Sequence, residues 1–192
     1  MAKKNKFDAI EYIDSNYVED EDAIISINVP HTNSFYNEFD ADRLALSDDI
    51  IDFIDGRAKN IPNKYDIILE FIAPRMSKKE KEKIIDTIKS HYGLVSSSKQ
   101  NVLNNNNLKA GTLFMLGTFF LFVSYSLPDS SVFIKEIFSI AGWVSAWETF
   151  NALLLDALSI RINKRNVDRL YNSKIVFKVR KKVWELKPFY VL

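Results

Sequence analysis

Residues 110–127 read AGTLFMLGTFFLFVSYSL, eighteen residues without a charge. A run of that length reads as a bilayer crossing rather than the filling of a soluble core. Residues 137–155 hold a single charge, Glu148, and at about 1.5 Å per residue they reach roughly 28 Å, enough for a second crossing. Between the two runs stand Pro128, Asp129, Ser130 and Ser131, a polar turn short enough to send the chain straight back. The stretch 108–156 is therefore expected to form a transmembrane helical hairpin. The competing reading of the second segment, a helix lying in the membrane surface, would need a broad charged face. Here Lys135 and Glu136 precede the run, Asp156 follows it, and only Glu148 interrupts it.

The flanks orient the hairpin. Residues 160–192 carry ten Lys and Arg against Asp168 and Glu185, whereas the turn carries neither Lys nor Arg. Short loops rich in Lys and Arg stay in the cytoplasm, which predicts a multi-pass protein of the cell (inner) membrane with both termini cytoplasmic. The opening residues MAKKNKFDAIEYID are basic but lack the apolar core of a cleavable signal, so the first span is expected to act as the insertion signal.

Of 192 residues, about a hundred precede the hairpin, room for one compact cytosolic domain. The chain has no cysteine, which excludes a disulfide scaffold, Cys-based zinc sites and a Cys nucleophile, and fits a reducing compartment. A net charge of +1 hides a segregation: residues 8–55 hold fourteen Asp and Glu against Arg43 alone, opposite the basic tail. Two compatible readings follow. The basic end forms a skirt on anionic lipid, with Arg161, Lys164, Arg165 and Arg169 at the head groups, or the acidic front half docks on a basic tail from the same or a neighbouring chain.

Along the chain, Phe7, Ile10, Ile13 and Tyr17 recur at helical spacing. Residues 23–29 alternate Ile25, Ile27 and Val29 with Ser26 and Asn28, a strand ending at Pro30. Residues 31–46 read as a long loop. Ser47 caps a helix whose first turn carries Asp48 and Asp49, and Ile50, Ile51, Phe53, Ile54 and Ala58 give that helix its buried face. DIILEFIA, residues 66–73, is nearly continuous in apolar character and predicts a central strand covered on both faces. Ser77 and Glu80 have capping-box spacing ahead of Ile84, Ile85, Ile88 and Tyr92. Gly93 is one place for that helix to end, leaving 94–107 as a polar connector. Alternatively the helix runs on into the first span. After the hairpin, residues 160–171 prolong the second helix, and 174–180 alternate as a one-sided strand that joins the other two. The expected fold is an α+β membrane protein: a cytosolic α/β domain over 1–93 with about three strands, the 94–107 segment, the hairpin over 108–156, and a basic helix extension and returning strand over 157–192.

Glu148 is the natural candidate for chemistry, because a mid-depth carboxylate costs on the order of 2.5–3.5 kcal/mol and such groups usually face a bundle interior or wet cavity. Asn151 and Asp156 accompany it. At 100° per residue Ala141, Gly142, Ser145, Ala146, Thr149 and Ala152 form a stripe of small residues that lets helices approach closely. Either Glu148 lines an ion, proton or lipid path, or it is held by Thr112, Thr118, Ser124 or Tyr125 of the first span and fixes packing; the second reading is favoured. His31 and His91 lack ligand-spaced neighbours, so no metal site is expected, and among five glycines there is neither a phosphate-cradling loop nor a nucleophile elbow. No cofactor is expected. Membrane lipids, a further copy of the chain, or a membrane or cytosolic protein are the expected partners, and nucleic acid is not.

The run Gly142-Trp143-Val144 followed by Trp147-Glu148, Leu155-Asp156, Ile160-Arg161 and Arg169-Leu170-Tyr171 resembles the second span of a group of small, uncharacterised prokaryotic two-span membrane proteins. The similarity is greatest over residues 137–180. It implies a cytosolic α/β part before the hairpin and a short strand after it, and it implies no activity. The function that fits these observations is a non-enzymatic sensing, docking or effector protein acting through oligomerisation of its hairpin. A small membrane enzyme or transporter subunit using Glu148, and an envelope scaffold or tether, remain open beside it.

Overall fold

The computed structural model describes residues 18–19 and 22–180. The helix expected over Phe7 to Tyr17 and the tail beyond Arg180 lie outside the described residues. The chain divides into two compact units, residues 1–93 with 168–192, and residues 94–167.

The first unit is built on a sheet of order β1-β2-β3-β4. The strands are β1 (Val18–Glu19), β2 (Asp22–Asn28), β3 (Asp66–Ala73) and β4 (Lys174–Val179). β2, β3 and β4 run parallel, and the two-residue β1 pairs antiparallel at the edge. β3 is central, as its apolar run predicts. Its two faces differ, however. Ile67, Leu69, Phe71 and Ala73 are buried, while Ile68, Glu70 and Ile72 opposite them are half-buried. Phe71 sits at the centre of the buried side, 5.1 Å between ring centroids from Phe35 and 5.7 Å from Phe177 of β4.

α1 (Asp48–Asn60) buries Ile50, Ile54 and Ala58. Asp48 and Asp49 stand in its first turn, although the Ser47 hydroxyl makes no capping bond. α2 (Lys78–Ser126) begins at the expected capping box: the Glu80 carboxylate accepts from the Ser77 N–H and hydroxyl, both at 2.8 Å. These donors hold the Glu80 carboxyl below its ordinary range. α2 then continues unbroken through Gly93 and the Ser- and Asn-rich stretch, so 94–107 is helix and not a loop. Gly93 sits within the helix at a close contact. A Cβ there would lie 3.2 Å from the Tyr171 ring, which packs directly on the helix backbone.

After Pro128 and a 3-10 turn, Asp129–Ser131, the chain returns as α3 (Val132–Phe150), a π-helical segment (Asn151–Asp156) and α4 (Ala157–Asn172). Among the described residues one helix, α2, is long and apolar enough to cross a membrane. α3 holds Lys135, Glu136 and Glu148 within its span, and the π segment divides the second apolar run.

The end of α4 is tied into the first unit. Leu170 is buried. The Arg169 guanidinium donates to the carbonyls of Ile61, Pro62 and Tyr65 (3.3, 3.2 and 2.6 Å) and to Asn63 Oδ1 (3.0 Å), closing the connection between α1 and β3. Lys89 donates to the carbonyl oxygens of Tyr171 and Ser173, the end of a helix at which a cation is favoured. Burial pushes the Lys89 ammonium below its ordinary range.

Truncating Phe71 to Ala removes the centre of this packing and is expected to cost about 3–5 kcal/mol. Native-state hydrogen exchange of the full chain checks it: protection of β2 and β3 falls by that amount, whereas unchanged protection would contradict the assigned core.

Candidate functional site

The second unit is an antiparallel pair of helices whose register is set by three contacts. Ser124 Oγ donates to the Lys135 carbonyl at 2.9 Å. A Cβ at Gly117 would stand 3.1 Å from Ser145 Cβ and 3.2 Å from the Gly142 carbonyl, and one at Gly142 would stand 2.6 Å from Leu121 Cγ. Asn106 Nδ2 donates to the Ala152 carbonyl at 2.7 Å. The residues of the small stripe, Ala141, Gly142, Ser145, Ala146 and Thr149, are buried or half-buried along this seam, and Gly117 supplies the matching space on α2. In a lipid-like setting such seams depend on close van der Waals approach, and here the glycines are what permit it.

Register also places Glu148 along α2. Interpolating between these contacts, Glu148 lies level with residues 111–114, the first turn of the apolar run 110–127, and the middle of that run is level with residues 141–143. Glu148 therefore stands roughly 9 Å along the helix axis from the middle of that run at 1.5 Å per residue. It is not held by the first span. Thr112, Thr118 and Ser124 donate to the backbone oxygens of Leu108, Phe114 and Lys135, and Tyr125 is 88% exposed. Glu148 itself is exposed, off the seam, and makes no hydrogen bond or ion pair with a described residue.

Asn151 is half-buried and Asp156 exposed, at the two ends of the π segment. The wider turn sends the Ala157 N–H to the Ala152 carbonyl, which also takes the Asn106 amide. π turns recur at functional sites, and Asn106 is hidden in the sequence as one of four consecutive asparagines. Of the four cations expected at head groups, Arg161 and Arg165 are exposed and Lys164 half-buried. Arg169 does not join them, because its guanidinium closes the connection between α1 and β3.

The first unit presents a second candidate, the connection between β2 and α1. The Asp40 carboxylate accepts the backbone N–H groups of Ala45, Leu44 and Asp42 (2.5, 2.7 and 3.1 Å), which hold it below the ordinary carboxylate range. Asn37 Oδ1 accepts the Phe39 N–H, and Tyr36 bridges to Leu46. Arg43 adopts φ 56°, a left-handed conformation rare outside glycine. Arg43 and Lys83 both lie over the Tyr36 ring. This pinned loop holds Phe39 and Leu44 outward, 89% and 70% exposed, beside Glu38 and Asp42. The Asn37 and Asp40 spacing, typical of side chains that bond their own backbone, was the available sequence signal.

His91 and Tyr92 lie on α2 facing α1. Tyr92 is buried and donates to Asp55 Oδ1 at 3.2 Å, and burial first, then Asp55, pushes its hydroxyl pKa up. Burial lowers the His91 pKa, with Asp55 and Asp48 opposing the shift. Among the described residues no group of three His, Cys, Asp or Glu is arranged to hold a metal. Comparison with protein-family models, with curated proteins and with solved structures finds no match to the chain.

The two glycines of the hairpin give a paired test. Gly142→Ala drives a methyl into Leu121 and is expected to destabilise the second unit by about 1–3 kcal/mol. Gly111→Ala meets nothing within 4 Å and should be neutral or gain up to about 1 kcal/mol from helix propensity. Thermal unfolding of the detergent-solubilised chain, followed by circular dichroism, separates the two; equal effects would contradict the seam.

Proposed function

We propose that this chain is an integral membrane protein that crosses the cell membrane twice, keeps both ends in the cytoplasm, and acts without catalysis by sensing or docking a partner and by assembling through its hairpin. The observation that carries the reading is the surface of the second unit. Only 17% of the apolar window of α2 is buried, and Phe114, Met115, Phe122, Trp143, Trp147 and Leu155 stand exposed on the two helices. Contiguous apolar surface on this scale marks contact with lipid or with another chain. The hydroxyls support lipid as the surroundings, since exposed Thr112, Thr118 and Ser126 and seam residues Ser145 and Thr149 each donate to the carbonyl four residues back and so need no water.

Orientation follows from the cations after the second run and their absence from the turn. The sheet agrees, because β3 and β4 stand on either side of the hairpin in sequence and pair with one another, so both ends of the hairpin belong on one side of a membrane. Assembly is supported by Glu148. Off the hairpin seam within the inner part of an apolar run, it needs a polar partner from head groups or from another copy. The small stripe is already used inside the hairpin, which leaves the outer flanks for contact between copies. The pinned loop bearing Phe39 and Leu44 supports the docking part of the reading.

Assembly in nanodiscs and topology in cells test this together. Wild type is expected to run as an oligomer, Glu148→Gln to retain it and Glu148→Leu to shift it to monomer. Ser130→Cys in this cysteine-free chain should react with an impermeant maleimide from outside intact cells, and Asn172→Cys only after permeabilisation. A monomeric wild type would overturn assembly, and outside labelling of the Asn172→Cys variant in intact cells would overturn the two-span topology.

A further inference from the structure

The two helices of the hairpin leave unlike flanks on either side of their seam. At about 100° per residue, Lys109 lies about 80–100° behind the buried residues Gly117 and Ala110, and Glu148 about 100–120° behind Thr149 and Gly142. The helices run antiparallel, so offsets of the same sign fall on the same flank. Seven-residue steps continue each position: Lys109, Leu116 and Val123 on α2, and Ile134, Ala141 and Glu148 on α3. Lys109, Leu116, Ile134 and Glu148 are exposed, and Val123 and Ala141 half-buried. The opposite flank carries Phe114, Tyr125, Trp143 and Phe150, all exposed. One side is thus aromatic, and the other is an aliphatic ladder with a cation and an anion at its inner end. Neither Lys109 nor Glu148 has a hydrogen-bonding or ionic partner among the described residues. An open hollow lined by Asn105, Leu108, Lys109, Thr112 and Leu113 adjoins the ladder at that end.

We propose that this flank docks a second copy of the chain, related to the first by a two-fold axis along the membrane normal. Such an axis sets α2 of one copy against α3 of the other, antiparallel as within the hairpin. The ladder then meets itself: Lys109 faces the partner's Glu148, Leu116 the partner's Ala141, and Val123 the partner's Ile134, each contact occurring twice. A seven-residue spacing is the repeat by which two helices keep one face in contact. By the hairpin register Glu148 stands about two to five residues along from Lys109, or about 3–8 Å, a gap that the four-carbon lysine stem covers. A carboxylate in an apolar run calls for a polar partner of this kind, and the two pairs leave the interface without net charge. The inference rests on the membrane and assembly reading above and names the partner and the contact.

The absence of cysteine makes the test direct. The full chain carrying Leu116→Cys and Ala141→Cys, oxidised with copper phenanthroline in native membranes, is expected to run as a disulfide-linked dimer in more than half the molecules. Thr118→Cys with Trp143→Cys, on the opposite flank, should link in less than a tenth. In nanodiscs, Lys109→Glu and Glu148→Lys should each lower the dimer fraction at least fivefold, and the two together should return it to at least half that of wild type. Links through positions 118 and 143 with none through 116 and 141 would overturn the proposal and leave assembly standing. An oligomer indifferent to both charge reversals would do the same and give Lys109 to lipid head groups, and so would a double reversal that fails to restore the dimer. A monomeric wild type would remove the assembly reading and this inference with it.

Discussion

The parallel pairing of β3 with β4 is the constraint on which the architecture depends. Parallel neighbours cannot be joined by a tight turn and need a crossover connection. Here that crossover is residues 74–173, α2 out and α3 with α4 back. Because β4 completes the sheet, the chain must return to the unit it left. Local interactions secure the return: Arg169 takes three carbonyls of the α1 to β3 connection, Lys89 takes the last carbonyls of α4, and Gly93 lets Tyr171 lie on the helix backbone. Both cations meet backbone carbonyl oxygens here, which fixes the position of the returning chain.

The second unit obeys different physics. Its seam is closed by glycine, alanine and serine beside Leu121, with the Ser124 hydroxyl crossing to the Lys135 carbonyl while Ser145 and Thr149 bond within their own helix. Large residues point outward. Glu148 stands exposed among these apolar residues.

Local features were legible in the sequence. The strand over 66–73, the capping box at Ser77 and Glu80, and the strand after the hairpin all follow from periodicity or from a short polar motif. What the sequence hid depended on distance along the chain. Asn104 to Asn107 reads as a connector because asparagine is a poor helix former, yet Asn106 is helical and bonded to Ala152 across the seam. Arg169 looks like one more cation in a basic stretch until the carbonyls of residues 61–65 arrive beside it. The level of Glu148 along α2 was unreadable without the register, and the loop over 37–46 is ordered by one carboxylate whose three donors appear only once the chain turns.

Everything proposed for the second unit turns on lipid contact along the exposed flank of the hairpin. With Trp184 replaced by Phe, Trp143 and Trp147 are the remaining tryptophans, and register places Trp143 level with the middle of the apolar run and Trp147 about 6 Å nearer its inner end. In vesicles made with acyl chains brominated at known depths, single-tryptophan versions should be quenched by the lipid, Trp143 most by bromine near the bilayer centre and Trp147 most by shallower bromine. Fluorescence indifferent to the brominated chains would contradict it.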